Sequence, residues 1–199
     1  MNETRPHRPR PILFLSLALA LAACSGRPEE PPLEGAAIGG PFTLTNQDGR
    51  QVTERDFTGR YQLIYFGFTH CPDVCPNDLA VIGQALRLVE KSDPAKAARV
   101  APIFVSVDPE RDSPAVLKEY VANFHPRLTG LTGTPKQVAA MVKSYGAYGA
   151  KEEPEAGGGY NVNHSRLAEL IGPDGKPIAL LPYEKGAEAV AAELDRWVK

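Results

Sequence analysis

The length and charge of this chain indicate a protein with one ordinary domain and argue against a nucleic-acid binding protein. Its 199 residues are enough to form a domain with its own hydrophobic core. The formal net charge is −2, and the acidic residues are scattered along the chain rather than clustered. This charge pattern does not favour nucleic acid as a partner.

The first 23 residues have the pattern of a secretory signal peptide. Three arginines precede an uncharged apolar run over residues 12–23, whose helical length of about 18 Å is too short for the roughly 30 Å core of a bilayer. The run ends in Leu21-Ala22-Ala23-Cys24, which resembles the lipobox of bacterial lipoproteins. We therefore predict a lipoprotein signal peptide over residues 1–23 and a lipid-modified Cys24. The alternatives are ordinary cleavage that leaves Cys24 free, or an uncleaved anchor.

The next residues have the composition of a linker that precedes one folded domain. Residues 24–40 are rich in proline, glycine and acidic side chains, which predicts a partly extended, lipid-anchored linker. The domain is predicted over residues 41–199, in the cell envelope and facing the periplasm or another extracytoplasmic space. It begins with an alternating strand at Phe42, and Asp48-Gly49 predicts a hairpin turn into a second strand.

Strands and helices alternate through the rest of the domain. Apolar runs at 61–68 and 100–107 predict buried strands, and a helical pattern begins at Asn77. Two further helices are predicted at Ser113 and Thr134, because each is an N-cap residue followed by proline. A hairpin and a last amphipathic helix follow. We predict an α/β fold, with a mixed central sheet, helices on both faces and an N-terminal hairpin.

Cys71 and Cys75 lie at the turn between the strand at 61–68 and the helix that follows. The first N–H groups of a helix carry partial positive charge, which lowers the pKa of a thiol and favours the thiolate. A spacing of four residues allows both sulfurs to face one point. Thiolates bind soft metals and attack disulfides, so the pair predicts a metal site or a redox site. A passive structural disulfide is the third interpretation, although so short a loop would add little stability.

A histidine near these cysteines would complete a soft metal site. Two thiolates and an imidazole suit Cu(I), or Cu(II) with further ligands. Asp73 lies between the cysteines and could supply a fourth, oxygen ligand, so zinc stays an alternative. His70 is adjacent to Cys71, and His164 precedes a predicted strand remote in sequence. The residues alone leave the choice between His70 and His164 open.

Four segments along the chain together resemble the motifs of one protein family. They are Cys71-Pro72-Asp73-Val74-Cys75-Pro76, then Ser106-Val107-Asp108-Pro109-Glu110-Arg111-Asp112-Ser113-Pro114, then Phe124-His125-Pro126-Arg127-Leu128 with Gly130-Leu131-Thr132-Gly133-Thr134, and Val162-Asn163-His164-Ser165. In identity and order they resemble the Sco (SenC) family, which are thioredoxin-like copper proteins of cytochrome oxidase assembly.

This resemblance implies a thioredoxin-like fold in which Cys71, Cys75 and His164 hold copper, as Cu(I) or Cu(II). It also implies a metallochaperone that delivers copper to the binuclear copper centre of cytochrome c oxidase, or keeps that centre reduced. The expected partners are the copper-bearing oxidase subunit or a copper donor protein, and the membrane through the lipid anchor.

Three residues near the histidine depart from the family pattern. The family usually has aspartate before the ligand histidine, and Asn163 supplies hydrogen bonds there but no charge. Arg166 and Glu169 stand where the family generally has apolar or aromatic residues. We name Asp73 and Asn163 as candidates that support the site from outside the three ligands.

The two cysteines also fit an enzyme, namely a thiol–disulfide oxidoreductase that acts on exported proteins. In such enzymes a low-pKa cysteine attacks and a second one resolves, usually with two residues between them rather than the three found here. Cys71 would be the attacking residue, because it lies nearer the solvent end of the turn. Because oxidation to a disulfide ejects the metal, one protein can have both activities, with its redox state controlling metal transfer.

The charged stretch from Asp108 to Asp112 follows a predicted strand. The simplest interpretation is a solvated loop in which Asp112 and Ser113 start the next helix, and contact with the metal is the alternative.

Overall fold

A computed structural model describes Met1, residues 29–154 and residues 159–199. The chain divides into two units, residues 1–30 and residues 31–199, and the fold below is that of the second unit. The predicted signal peptide of residues 1–23, apart from Met1, and the predicted lipidation at Cys24 lie outside the described residues. In the part of the chain that is described, no helix combines the length and the apolar character needed to cross a membrane.

The strands of the second unit form a seven-stranded sheet and a separate two-stranded sheet. In chain order the strands are β1 (Thr43–Asn46), β2 (Gln51–Thr53), β3 (Tyr61–Gly67), β4 (Val100–Ser106), β5 (Thr129–Thr132), β6 (Gly149–Lys151), β7 (Val162–His164), β8 (Ala168–Ile171) and β9 (Pro177–Leu180). The larger sheet has the order β2-β1-β5-β4-β3-β8-β9, and β6 pairs with β7. Strands β3, β4 and β5 are parallel, whereas the other neighbours are antiparallel. The sheet is therefore mixed, and β1–β2 is the predicted N-terminal hairpin.

The helices begin at sequence signals that can be identified. They are α1 (Val74–Ser92), α2 (Pro94–Arg99), α3 (Pro114–Ala122), α4 (Pro135–Ser144) and α5 (Ala187–Trp197). Ser113 Oγ accepts a hydrogen bond from the Val116 N–H, and Thr134 forms a capping box with Gln137. Both of these predicted helix starts are confirmed.

Helices cover both faces of the larger sheet, and each face has its own apolar core. The core on the first face combines strand residues with α1, α2, α3 and α5, and its members include Leu63, Tyr65, Leu79, Leu86, Ala97, Leu117, Leu170 and Leu194. The core on the second face combines strand residues with α4, and its members include Leu44, Ile64, Phe66, Ile103, Val138, Met141 and Tyr145. Strands β3 and β4 are buried along their whole length, as central parallel strands must be. The predicted α/β, thioredoxin-like fold is confirmed.

The folded unit begins at Pro31 rather than at Pro41. Leu33 N–H donates to the carbonyl of Ile178 at 3.0 Å, and Gly39 N–H donates to that of Ser144 at 2.9 Å. Ile38 packs against the core of the second face. Proline and glycine content indicated a linker here, but an extended segment of this composition can also bind a domain surface through its backbone.

Candidate metal centre

Cys71, Cys75 and His164 come together at the end of β3. Their sulfur and nitrogen ligand atoms lie within 4.8 Å of one another, and among the described residues this is the cysteine, histidine and carboxylate group that could hold a metal ion. Cys75 Sγ lies 3.3 Å from His164 Nε2. Both cysteines are free thiols and both are buried. The structure therefore brings together the three residues that the family resemblance named as ligands.

The strand-to-helix turn places both cysteines on the same side of the site. β3 ends at Gly67 and α1 begins at Val74, which is earlier than the predicted start at Asn77. The earlier start is compatible with Pro76, because the first turn of a helix does not need its N–H groups. Cys75 thus lies in the first turn, and its backbone N–H donates to Cys71 Sγ at 3.3 Å. This hydrogen bond fixes the direction of the Cys71 sulfur relative to the first turn of α1.

Gly67 makes room for the sulfur of Cys75, a role that the sequence analysis missed. A β-carbon at position 67 would lie 2.9 Å from Cys75 Sγ and 3.0 Å from the rings of Phe104 and Tyr65. Real β-carbons essentially never show the first of these distances, and the other two are tighter than nine in ten β-carbon contacts. The signal in the sequence was a glycine at the end of an otherwise bulky buried strand, because glycine there often marks a close approach.

Burial controls the protonation of the two ligands on the inner side of the site. It raises the pKa of the Cys75 thiol to about 12, so the lowered thiol pKa expected from the helix N-terminus is wrong for this residue. Burial also lowers the pKa of His164, which favours a neutral imidazole. His164 Nδ1 lies 2.9 Å from the carbonyl oxygen of Ser165. Because a carbonyl only accepts, the proton sits on Nδ1 and the lone pair of Nε2 faces Cys75.

The other predicted site residues lie around this group rather than in it. His70 is half exposed, and its Nδ1 lies 3.1 Å from Thr69 Oγ. Asp73 is exposed and accepts a hydrogen bond from Asn77 Nδ2 at 2.8 Å. Asn163 is exposed, and successive strand residues point to opposite faces, so its side chain diverges from that of His164. The hydrogen bond that orients the imidazole comes instead from the Ser165 backbone.

Asp112 holds the loop that precedes Cys71, so the interpretation of this region as a solvated loop is wrong. Asp112 is fully buried. It accepts hydrogen bonds from Thr69 Oγ at 2.6 Å, Thr69 N–H at 3.0 Å and Ser106 Oγ at 2.6 Å. Thr69 is 43 residues from Asp112 and Ser106 is six residues from it, and no helical or strand pattern in the sequence predicted either contact.

Asp108 and Arg111 hold the hairpin that carries His164. Asp108 is 3% exposed, forms an ion pair with Arg111 and accepts a hydrogen bond from Tyr160 Oη at 2.8 Å. Arg111 lies over the Tyr160 ring and donates to the Tyr160 carbonyl at 2.9 Å. The Lys151–Glu110 ion pair adds a contact from β6. The charged stretch after β4 therefore anchors the β6–β7 hairpin through side chains.

Glu169 is fully buried on the second face of the sheet. Its neighbours Ala168 and Leu170 belong to the core of the first face, so Glu169 points to the opposite side. In the described part of the chain neither of its carboxyl oxygens has a hydrogen-bond partner. Burial raises the pKa of this carboxyl to about 8, so the group is largely protonated at neutral pH.

Comparisons with known proteins agree with this geometry. The family model described as SCO1/SenC matches residues 30–199. The Arabidopsis thaliana protein SCO1 homolog 1, mitochondrial, is 43% identical over 146 residues, which are 73% of this chain and 42% of that protein. This chain thus matches less than half the length of that relative.

Two solved structures are similar over most of this chain. The structure of Bradyrhizobium japonicum ScoI with copper bound is 43% identical, with a TM-score of 0.74 over 81% of this chain and 99% of that chain. BsSco, described with a disulfide switch and as a member of the Sco family of cytochrome c oxidase assembly proteins, is 26% identical. Its TM-score is 0.61 over 84% of this chain and 97% of that chain.

Proposed function

This chain belongs to the SCO1/SenC family, and from that premise we propose that it binds copper through Cys71, Cys75 and His164 and takes part in cytochrome c oxidase assembly. The observation that carries the proposal is the meeting of three ligand atoms within 4.8 Å. The copper-bound ScoI structure and the description of BsSco support both halves of the proposal. Copper is the cargo of this protein, to be passed to an oxidase subunit or received from a donor protein.

The chemistry of the three side chains fits copper. Two sulfurs and one imidazole nitrogen form a soft set that suits Cu(I), and Cu(II) with further ligands. The orientation of His164 leaves its Nε2 lone pair free toward the sulfurs. Because burial keeps the proton on Cys75, binding of copper displaces a proton from that thiol. Affinity therefore falls as pH falls.

The N-terminal sequence supports an anchored, extracytoplasmic protein. A signal peptide over residues 1–23 would export the chain, and lipid on Cys24 would attach it to a membrane. The domain then faces the periplasm or an equivalent space, where the copper-bearing part of an oxidase subunit can reach it. The Arabidopsis relative is named as mitochondrial.

A thiol–disulfide oxidoreductase is the second candidate function, and the hydrogen bond from Cys75 N–H to Cys71 Sγ favours it. Cys71 thiolate would attack a substrate disulfide, forming a mixed disulfide and releasing one substrate thiol. Cys75 would then lose its proton and attack Cys71, which releases the second thiol. The substrate gains two electrons and this protein ends with a Cys71–Cys75 disulfide. The disulfide switch described for BsSco agrees with such chemistry.

Competition for Cu(I) tests the copper proposal. The purified, reduced full-length chain in detergent is titrated without oxygen against a chromophoric Cu(I) chelator. We expect one copper per chain, and an affinity loss of at least about 100-fold in His164→Ala and in Cys71→Ser. His70→Ala is the matched control, because His70 is adjacent to Cys71 but half exposed, and it should bind like wild type.

Two results would contradict the copper proposal. The first is wild-type affinity in His164→Ala, which would remove that residue from the site. The second is weak copper binding by the wild type together with turnover of a disulfide substrate. Turnover that survives His164→Ala but not Cys71→Ser would support the oxidoreductase instead.

A further inference from the structure

We propose that Arg166 is a positioning residue for the metal site, which holds His164 at the cysteine helix through an ion pair with Asp78. This proposal rests on the proposed copper-binding function and adds a determinant outside the three ligands.

Asp78 presents the α1 side of the contact. It lies three residues after Cys75, which places both side chains on one face of the helix. Asp78 is 5% exposed. Its two oxygens accept hydrogen bonds from Arg166 Nη2 at 2.6 Å and from Arg166 Nε at 3.1 Å. This fork-to-fork geometry fixes the direction of the guanidinium as well as its distance.

Tyr65 fixes Asp78 from the direction of the sheet. Its hydroxyl donates to Asp78 Oδ2 at 2.8 Å, and its ring stacks on that of Phe104 in the core. Asp78 therefore has a rotamer determined by β3 as well as by Arg166. Because the Asp78 carboxylate is held in one orientation, the Arg166 side chain that binds it is held in one place as well.

Arg166 is held at its backbone as well as at its side chain. Tyr183 Oη donates to the carbonyl of Arg166 at 2.6 Å, and the guanidinium lies over the Tyr183 ring. His164 ends β7 and β8 begins at Ala168, so Arg166 lies in the short connection between the two sheets. The ion pair therefore fixes Arg166, two residues after the ligand His164, relative to α1.

The metal site needs such a contact because its ligands come from two separate parts of the fold. The cysteines share one turn, whereas His164 is 89 residues from Cys75 and belongs to the two-stranded sheet. Metal–ligand bonds tolerate shifts of only about 0.2 Å. The Asp78–Arg166 pair connects the cysteine helix directly to the histidine segment, so its loss should loosen His164 and leave the cysteine pair in place.

A double-mutant cycle distinguishes positioning of His164 from general stabilisation of the fold. Arg166→Met, which keeps the aliphatic stem, is made in wild type and in His164→Ala, and Cu(I) affinity is measured in the reduced full-length chain. We expect a loss of about 10-fold in the wild-type background, but less than about 2-fold when His164 is already absent. Arg166→Lys should restore only part of the affinity, because an ammonium cannot form the paired hydrogen bonds.

Arg127→Met is the matched control. Arg127 pairs with Glu90 near the opposite end of α1 and donates to the carbonyls of Ala97 and Val100. Its loss should lower the free energy of unfolding and leave copper affinity unchanged. Should Arg166→Met fail to fold, Asp78→Asn removes the charge without changing shape and must show the same dependence on His164.

Three outcomes would overturn the positioning role, and they are distinguishable. Wild-type affinity in Arg166→Met shows that the pair does not matter to the site. Equal losses with and without His164 show that the pair acts on the fold or on the cysteines. A wild type that does not bind copper, or that is indifferent to His164→Ala, overturns the proposed copper function itself and this inference with it.

Discussion

Asp78 and Glu169 are both buried carboxyl groups, but they lie on opposite faces of the central sheet and differ in their hydrogen-bond partners. Asp78, beside the metal site, accepts hydrogen bonds from the Tyr65 hydroxyl and from Nε and Nη2 of Arg166. Glu169, on the face covered by α4, has no hydrogen-bond partner for either oxygen among the residues described. Burial raises the pKa of Glu169 to about 8, so this carboxyl keeps its proton at neutral pH. Asp78, in contrast, forms an ion pair with Arg166.

The difference shows what a buried carboxyl can be used for in this fold. A carboxylate with hydrogen-bond partners has a defined direction and can position a neighbouring segment, but the loss of a partner destabilises the protein. A neutral, unpartnered carboxyl positions nothing and makes stability depend on pH. The stability of the protein should therefore respond differently to pH, to loss of the partnered carboxyl and to loss of a tyrosine hydroxyl on either face.

The largest effect concerns Glu169 and pH. The folded pKa is about 8 against an ordinary value of 4.5, so between these pH values the unfolded chain loses a proton that the folded chain keeps. The free energy of unfolding therefore falls as pH rises between these two values. The total decrease is about 5 kcal/mol, and it is complete above pH 8. Urea unfolding between pH 5 and pH 9 should show this slope in wild type and a much smaller slope in Glu169→Gln. Identical slopes would show that Glu169 is not the titrating group.

The second effect concerns removal of the partnered carboxyl. Asp78→Ala leaves the Tyr65 hydroxyl and the guanidinium of Arg166 without their acceptor. We expect the free energy of unfolding at pH 7 to fall by about 2–3 kcal/mol. This is less than for a fully buried ion pair, because the Arg166 side chain is 49% exposed to solvent. Asp174→Ala, which breaks an exposed pair with Lys176, is the control and should change stability by less than about 0.5 kcal/mol. Equal effects in the two variants would contradict the prediction.

The smallest effect separates two tyrosine hydroxyls on the two faces. Tyr65 Oη donates to Asp78 at 2.8 Å, whereas Tyr145 Oη on the Glu169 face reaches the Gly40 carbonyl at 3.4 Å. Tyr65→Phe should cost about 1–2 kcal/mol, because it removes a short hydrogen bond to a charged group. Tyr145→Phe should cost less than about 0.5 kcal/mol, since its hydrogen bond is long. Thermal or urea unfolding of the two variants at pH 7 gives this order, and the reverse order would contradict it.

Local signals in the sequence predicted much of the fold. Apolar runs located β3 and β4, and the N-cap residues Ser113 and Thr134 located the starts of α3 and α4. The strand–turn–helix position of the two cysteines also followed from local pattern. These features depend on neighbours in the chain, which is why a single sequence is enough to find them.

The contacts that complete the site join distant segments, and the sequence did not reveal them. Arg166 meets Asp78 across 88 residues, and Thr69 meets Asp112 across 43. The sequence indicated no role for Asp78, and it indicated only a helix start in a solvated loop for Asp112. His164 could be selected over His70 only through the family resemblance, because neither histidine has a local pattern that predicts its distance from the cysteines.

Gly67 limits how this protein can change over evolution. The space that a β-carbon would fill is already occupied by the sulfur of Cys75 and by two aromatic rings of the core. Cys75 lies in the first turn of α1, and Phe104 and Tyr65 are fully buried in the core, so these neighbours have little room to move. While Cys75 is in place, any side chain at position 67 requires a shift of its sulfur or of the two rings. Replacement of Cys75 by a smaller residue would remove the shortest of the three contacts, and the protein would then tolerate a substitution of Gly67 more easily.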